Sequence, residues 1–399
     1  MEEIRLLYGF TILNRRQMTV AHRSTYAITN LVYYFLKLGT IGFGGPVALV
    51  GYMHTDLVEK RKWISEEDYK EGLALAQLAP GPLAAQLAIY IGYVDYKIIG
   101  ATLVGLAFVL PSFLMVVAIG YAYVKFGGLP WMQSVFYGVG AAVIGLIAVS
   151  SYKLTKKTIG KDWLLLIIFL VLAVVTFLTE KENIWLILLA GFAVWFIKSP
   201  PKFLNTTIFL SPVLLQIAHQ FSADGKLLQI WWFFLKAGAF VFGSGLAIVP
   251  FLYGGVVNEY QWLNEQQFLD AVAVAMITPG PVVITVGFIG YLVAGFTGAC
   301  VAALATFLPC YLFTVIPAPY FKKYGKNPAI KAFIEGVTAA AIGAIAGAVI
   351  VLGKRQLTDL ASVSIAIMTI LCLIRFKKLK EPLIILLAAM AGLLIKILL

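Results

Sequence analysis

The chain has 399 residues, 61% of them hydrophobic and only 13% charged, with a formal net charge of +12. A soluble domain carries about twice that share of charge, so this composition excludes a soluble protein and indicates a polytopic membrane protein in contact with the lipid bilayer. The excess of Lys and Arg fits the bias of cytoplasmic membrane loops as well as attraction of an anionic substrate or lipid, and no nucleic-acid partner is expected.

Residues 1–27 read as a basic lead-in containing Arg5, Arg15, Arg16 and Arg23, with no cleavable signal peptide. The first apolar run, about 28–53, is interrupted by Gly42-Phe43-Gly44-Gly45-Pro46, and a charged connection, 56–71, follows it. Ser65, with Asp68 three residues on, predicts a helix N-cap. The helix it starts is broken by Pro80-Gly81-Pro82 after about fifteen residues, roughly 22 Å, too short to span comfortably. Four longer runs, roughly 97–124, 131–152, 162–179 and 183–198, complete a first half.

The pattern then restarts. Phe35-Leu36-Lys37-Leu38-Gly39 returns as Phe234-Leu235-Lys236-Ala237-Gly238, Trp63 as Trp262, the Ser65 cap as Asn264, and Pro80-Gly81-Pro82 as Pro279-Gly280-Pro281, all at an offset of 199. Aligned without a gap, 35–82 and 234–281 share 16 identities in 48 positions. That collinear set indicates internal duplication, with halves at 28–200 and 228–399. Residues 201–227 form a linker, whose run Phe203 to Ala218 either crosses the membrane, lies on it or simply connects.

Loop charge sets the expected orientation. Lys60, Arg61, Lys62 and Lys70 have no basic counterpart in Val256 to Asp270, whereas Lys125 alone corresponds to Lys322, Lys323, Lys326 and Lys331. Glu180-Lys181-Glu182 corresponds to Arg375, Lys377, Lys378 and Lys380. Three of the four connections compared reverse their bias, as halves of opposite topology require. The fourth, with Lys153, Lys156, Lys157 and Lys161 against Lys354 and Arg355, is basic in both. The fold expected is therefore an all-α polytopic membrane protein of two homologous, inverted-topology repeats with broken or re-entrant helices.

Proline lacks the N–H that a helix interior needs, and glycine is the weakest ordinary helix former. A Pro-Gly-Pro at membrane depth exposes backbone polar groups, which are tolerated only against protein or a water-filled cavity. Such breaks at matching positions of two halves point to a transport site. New half-helices begin after each break, and their free N–H groups and positive dipole ends suit an anion. The candidate substrate-binding residues are Lys37, Gly44, Gly45, Gln77, Pro80, Gly81, Pro82, Leu83 and Ala84 in the first half. In the second half they are Lys236, Gly243, Ser244, Gly245, Thr278, Pro279, Gly280, Pro281, Val282 and Val283. Gln86 and Thr285 are further side-chain donors. Lys37 and Lys236 either face the site or snorkel to an interface marked by Tyr33-Tyr34 and Trp231-Trp232. Glu335 is a weaker candidate for a coupling proton. No catalytic cluster, metal set or cofactor motif is found: the three cysteines and three histidines are scattered, so an enzyme is not expected.

Phe43-Gly44-Gly45-Pro46, the Trp63 segment, Ala79-Pro80-Gly81-Pro82 and their second-half copies resemble the chromate ion transporter family in its long two-domain form, over nearly the whole chain. The resemblance implies export of chromate across the cytoplasmic membrane of a bacterium or archaeon, driven by an ion gradient, with a proton as the candidate coupling ion. Sulfate is a tetrahedral dianion of similar size that backbone donors separate poorly from chromate. Sulfate uptake and an anion channel therefore stay open as alternatives, as does a homo-oligomer. Ser244-Gly245 stands where the first half has Gly45-Pro46, so the two sides of the site need not be equivalent.

Overall fold

A computed structural model of the chain describes residues 26–43, 45–126, 130–179, 184–200, 225–239, 242–243, 248–324, 327–376 and 381–398. The basic lead-in up to residue 25 and most of the linker, 201–224, lie outside the described residues, as do Gly44, Ser244 and Gly245.

The first half contains α1 (Ile28–Ile41), α2 (Gly45–Met53, continued by wider π-helical turns to Lys60), α3 (Glu66–Leu78), α4 (Leu83–Phe126), α5 (Pro130–Ile159), α6 (Trp163–Thr179) and α7 (Ile184–Lys198). The second repeats it with α8 (Lys226–Ala239), α9 (Ile248–Tyr253, continued by π-helical turns to Glu259), α10 (Glu265–Ile277), α11 (Thr285–Val315), α12 (Ala318–Tyr324), α13 (Pro328–Gln356), α14 (Leu360–Arg375) and α15 (Glu381–Leu398). Both expected caps form. Ser65 Oγ accepts from the Asp68 N–H at 3.0 Å, and Asn264 Oδ1 from the Gln267 N–H at 2.8 Å. Gln267 Oε1 returns the favour by accepting from the Asn264 N–H, closing a capping box.

The breaks are reversals of direction. A straight helix holds residues 18 apart about 27 Å from one another. Here the Tyr34 hydroxyl donates to the Tyr52 carbonyl, and Gly72 lies so close to the Tyr90 ring that a Cβ would sit 2.2 Å from it. So α1 with α2, and α3 with the first limb of α4, are re-entrant hairpins, the second with Pro80-Gly81-Pro82 at its tip. A further reversal splits α4 at Lys97 (φ 51°, ψ −138°) and brings Gly92 against Gly100. Its counterpart splits α11 at Ala294-Gly295 and brings Gly290 against Gly298. The limb of α4 after Lys97 is the first segment among the described residues long enough to span.

That limb crosses its repeat counterpart, the second limb of α11. Thr102 Oγ1 lies 2.8 Å from Tyr311 Oη near one end, and Phe113 packs on Phe296 near the other. The two equivalent helices are therefore antiparallel. Their two-fold axis is perpendicular to both and lies in the membrane plane, which is the inverted arrangement that loop charge predicts.

The remaining helices are exchanged between halves. α6 and α7 pack on α13, while α14 and α15 pack on α5. Small residues permit this: Gly343 and Gly347 lie against the carbonyls of Phe169 and Ala173, and Gly138 against that of Ala388. At one end of the bundle Lys198 bridges Asp162 at 2.5 Å and Glu335 at 2.7 Å. Glu335 is thus tied into an ion-pair network. The Lys198 ammonium holds the Asp162 carboxyl below the usual carboxylate range.

Two outcomes follow from this arrangement. Single cysteines at Arg61 and Gln261 should label from opposite faces of the membrane; labelling from one face would contradict the inverted axis. Lys198→Met should lower the thermal midpoint of the solubilised protein at neutral pH. The depressed Asp162 pKa contributes stability above the unfolded carboxylate pKa and loses it as pH falls. The gap between variant and wild type should therefore narrow on acidification, and a constant gap would show that this pair contributes nothing.

Candidate substrate site

Each Pro-Gly-Pro leaves the preceding helix through an extended residue, Ala79 (ψ 142°) or Thr278 (ψ 133°), and turns at a glycine of positive φ, 140° at Gly81 and 97° at Gly280. L residues avoid that region, so glycine is required there. A helix starts again directly, at Leu83 in α4 and, through the 3₁₀ turn Val282–Ile284, at Thr285 in α11.

The two tips interlock with the other half. Gly81-Pro82 runs parallel to Phe242-Gly243, with Gly81 opposite Phe242 and Pro82 opposite Gly243. The Gly280 N–H donates to the Gly42 carbonyl at 2.9 Å. By the repeat offset, Gly280 is the counterpart of Gly81 and Phe242 that of Phe43. One contact is thus made twice: a Pro-Gly-Pro tip against the glycine-rich break of the opposite half.

Between the tips lies an apolar cavity, walled by Pro46, Pro82 and Ala84 from one half and Gly280, Pro281 and Val283 from the other. Its volume is about 10 Å³, the room of roughly one water molecule. The tips lie against one another, and the cavity has no room for a larger ligand. The N–H groups of Leu83, Ala84, Val282 and Val283 belong to first helical turns, where they lack partners within the helix, and the positive dipole ends meet there.

Side chains contribute less than the sequence reading allowed. Thr278 Oγ1 donates to the Val274 carbonyl at 2.6 Å and Thr285 Oγ1 to that of Val282 at 2.7 Å. Gln86 is buried, and its Nε2 donates to the Pro80 carbonyl at 2.8 Å, bracing the tip; its Oε1 has no partner among the described residues. Gln77 is exposed at the end of α3, next to the break. Pro80 and Pro279 flank the tip glycines, and Gly45 (φ 72°) opens α2. Lys37 and Lys236 are not brought to the tips. Both are exposed, while Gly39 and Gly238, two residues on, pack against the carbonyls of Phe108 and Thr306. That placement matches the snorkelling alternative.

Two features escaped the sequence reading. Ser112 is buried, donates to the Gly39 carbonyl at 3.3 Å, and lies where a Cβ on Gly280 would approach its Oγ to 1.9 Å. Asp270 is also buried, accepting from the Tyr123 hydroxyl at 2.7 Å and from Gln266 Nε2 at 2.9 Å. The available signal for Asp270 was its position, 199 residues after Glu71, at the same repeat offset as the tips.

Residues 29–195 and 228–393 each match the model of the family described as chromate transporter. The chain is 69% identical to the chromate transport protein of Cupriavidus metallidurans, covering 92% of this chain and 93% of that one. It is 64% identical to a probable chromate transport protein of Synechococcus elongatus, covering 92% and 95%. A transporter of Bacillus subtilis is 26% identical over 155 residues, 39% of this chain but 79% of its own length. That relative therefore corresponds to less than half of the duplicated chain. No solved structure matches.

A methyl group at either tip glycine meets both a forbidden φ and a neighbour: Ser112 Oγ for Gly280, Gln86 Nε2 at 2.7 Å for Gly81. The strain of about 1–2 kcal/mol corresponds to roughly tenfold in an equilibrium. Gly81→Ala and Gly280→Ala should each cut transport by about that factor or more while the protein inserts normally, whereas Lys37→Arg and Lys236→Arg should change it little. Wild-type affinity and rate in both glycine variants would remove the tips from the substrate path.

Proposed function

We propose that this chain, which belongs to the chromate transporter family, exports chromate across the cytoplasmic membrane by alternately opening either side of the paired Pro-Gly-Pro tips, driven by an ion gradient. The observation that carries this reading is the reciprocal contact of Gly81-Pro82 with Phe242-Gly243 and of Gly280 with Gly42. Inverted repeats that meet at broken backbone near mid-membrane form a site which rocking of one half against the other exposes first to one face, then to the other. The ligand is held by backbone N–H groups and helix ends, which fits a dianion that carries acceptor oxygens on every side. The closed cavity fits a carrier, whose site is occluded between states, rather than a standing pore.

Chromate is the substrate named for the two relatives of highest identity given above. In this reading Lys60 to Lys62 face the cytoplasm, in line with the charge bias of cytoplasmic loops. A proton is the coupling ion of this reading.

Inside-out vesicles decide between the alternatives. With a proton gradient imposed, labelled chromate should accumulate above its external concentration, and dissipating the gradient should release it. Flux that only runs downhill would make the protein a channel. Accumulation of labelled sulfate with no competition by chromate would replace the substrate.

A further inference from the structure

Asp270 is the one charged side chain among the described buried residues, 3% exposed. It sits on α10 eight residues before Thr278, roughly 12 Å along the helix from the tip. Its partners are Tyr123, from α4 of the first half, and Gln266, one turn earlier on its own helix. The Tyr123 ring is held edge-on by Phe136 of α5 and Phe288 of α11. Glu265, on the same helix, is bonded to the Tyr253 hydroxyl. Among the described residues, no charged side chain from α4, α5, α11, α15 or the π-helical turns Gly254–Glu259, Glu259 included, the elements packed on α10, is paired with Asp270. A carboxylate has about four acceptor positions, and among the described residues two are used. A buried ion with neither a cation nor a full set of donors is costly; the cost falls when the group takes up a proton, whose O–H can donate to the Tyr123 hydroxyl oxygen.

The repeat shows the same position in another setting. Glu71, the counterpart of Asp270, is half-buried on α3, a helix that leaves Glu66, Glu67, Lys70 and Gln77 exposed. α10 is buried continuously from Phe268 to Met276. Glu71 meets the Tyr90 hydroxyl, within its own half, whereas the Asp270–Tyr123 bond joins the two halves. This position is thus half-buried in the first half and closed in the second.

We propose that Asp270 is the proton-carrying group of the transport cycle. It is neutral while closed against Tyr123 as described. It releases its proton to water when the second hairpin moves to an exposure like that of the first, so that proton occupancy and the closing of this side are one equilibrium. This rests on the transporter reading, which supplies the cycle; Tyr123 acts as a positioning residue.

The test uses the full-length protein in proteoliposomes, with labelled chromate and an interior pH dye, together with the infrared carboxylic C=O band of the wild type. Asp270→Asn should lose gradient-driven chromate accumulation by about tenfold more than it loses chromate–chromate exchange. Asp270→Glu should restore part of it. Tyr123→Phe should shift the pH profile of transport without abolishing it, a shift that a merely structural hydroxyl does not produce. A protonated carboxyl band that titrates in the wild type should be missing from Asp270→Asn. The proposal is overturned if Asp270→Asn accumulates chromate with the wild-type pH profile, if wild-type chromate movement carries no proton, or if no such band exists. Should the Asn variant fail to fold, an unchanged pH profile in Tyr123→Phe overturns it equally. A titrating band in a protein that moves no chromate would keep the proton site and sink only the substrate.

Discussion

Backbone that leaves the helix inside a membrane has to find hydrogen-bond partners in protein, because the hydrocarbon offers none. This chain meets the requirement by lending each half's broken backbone to the other. The Gly81-Pro82 tip takes Phe242-Gly243 as its neighbour, and the Gly280 N–H takes the Gly42 carbonyl. Neither tip is complete alone. The inverted axis, the glycines with positive φ and the small cavity all follow from bringing those two pairs of breaks to one place.

Pseudo-symmetry does not make the halves equal. α10 is buried continuously from Phe268 to Met276, while α3 carries Glu66, Glu67, Asp68, Lys70 and Glu71 and leaves Glu66, Glu67, Lys70 and Gln77 exposed. The difference is written in composition as well as in position. The start of α3 is charged and exposed, whereas α10 is surrounded by apolar side chains.

Much of this was legible in the chain. Caps at Ser65 and Asn264 are local chemistry, and both form as read. The breaks at Pro80-Gly81-Pro82 and Pro279-Gly280-Pro281 are equally local, since no context lets those residues continue a helix. Loop charge reported the inversion because insertion reads charge directly. What the sequence left open was everything that depends on a distant partner. A break does not say whether the chain turns back or runs on; Gly72 against Tyr90 settles that, and nothing near either residue announces it. Lys37 and Lys236 lie on a helix whose buried side is decided by where Gly39 and Gly238 dock. Asp270 looked like the end of a hydrophilic connection because its burial is supplied by α5 and α15, more than a hundred residues away on either side. Lys354 and Arg355 still depart from the charge bias, and the fold gives no reason for them.

The exchange of α6 and α7 onto α13, and of α14 and α15 onto α5, bears on how the protein is made. At a synthesis rate of about 5–20 residues per second, the second half emerges some 10–40 s behind the first. Throughout that interval α6 and α7 are in the membrane while the glycine-lined face of α13 that receives them does not yet exist. The early half is therefore a waiting intermediate whose helix surfaces are shaped for a partner still on the ribosome. Truncation after the first repeat would leave it permanently in that state, a substrate for membrane quality control and not a half-active transporter.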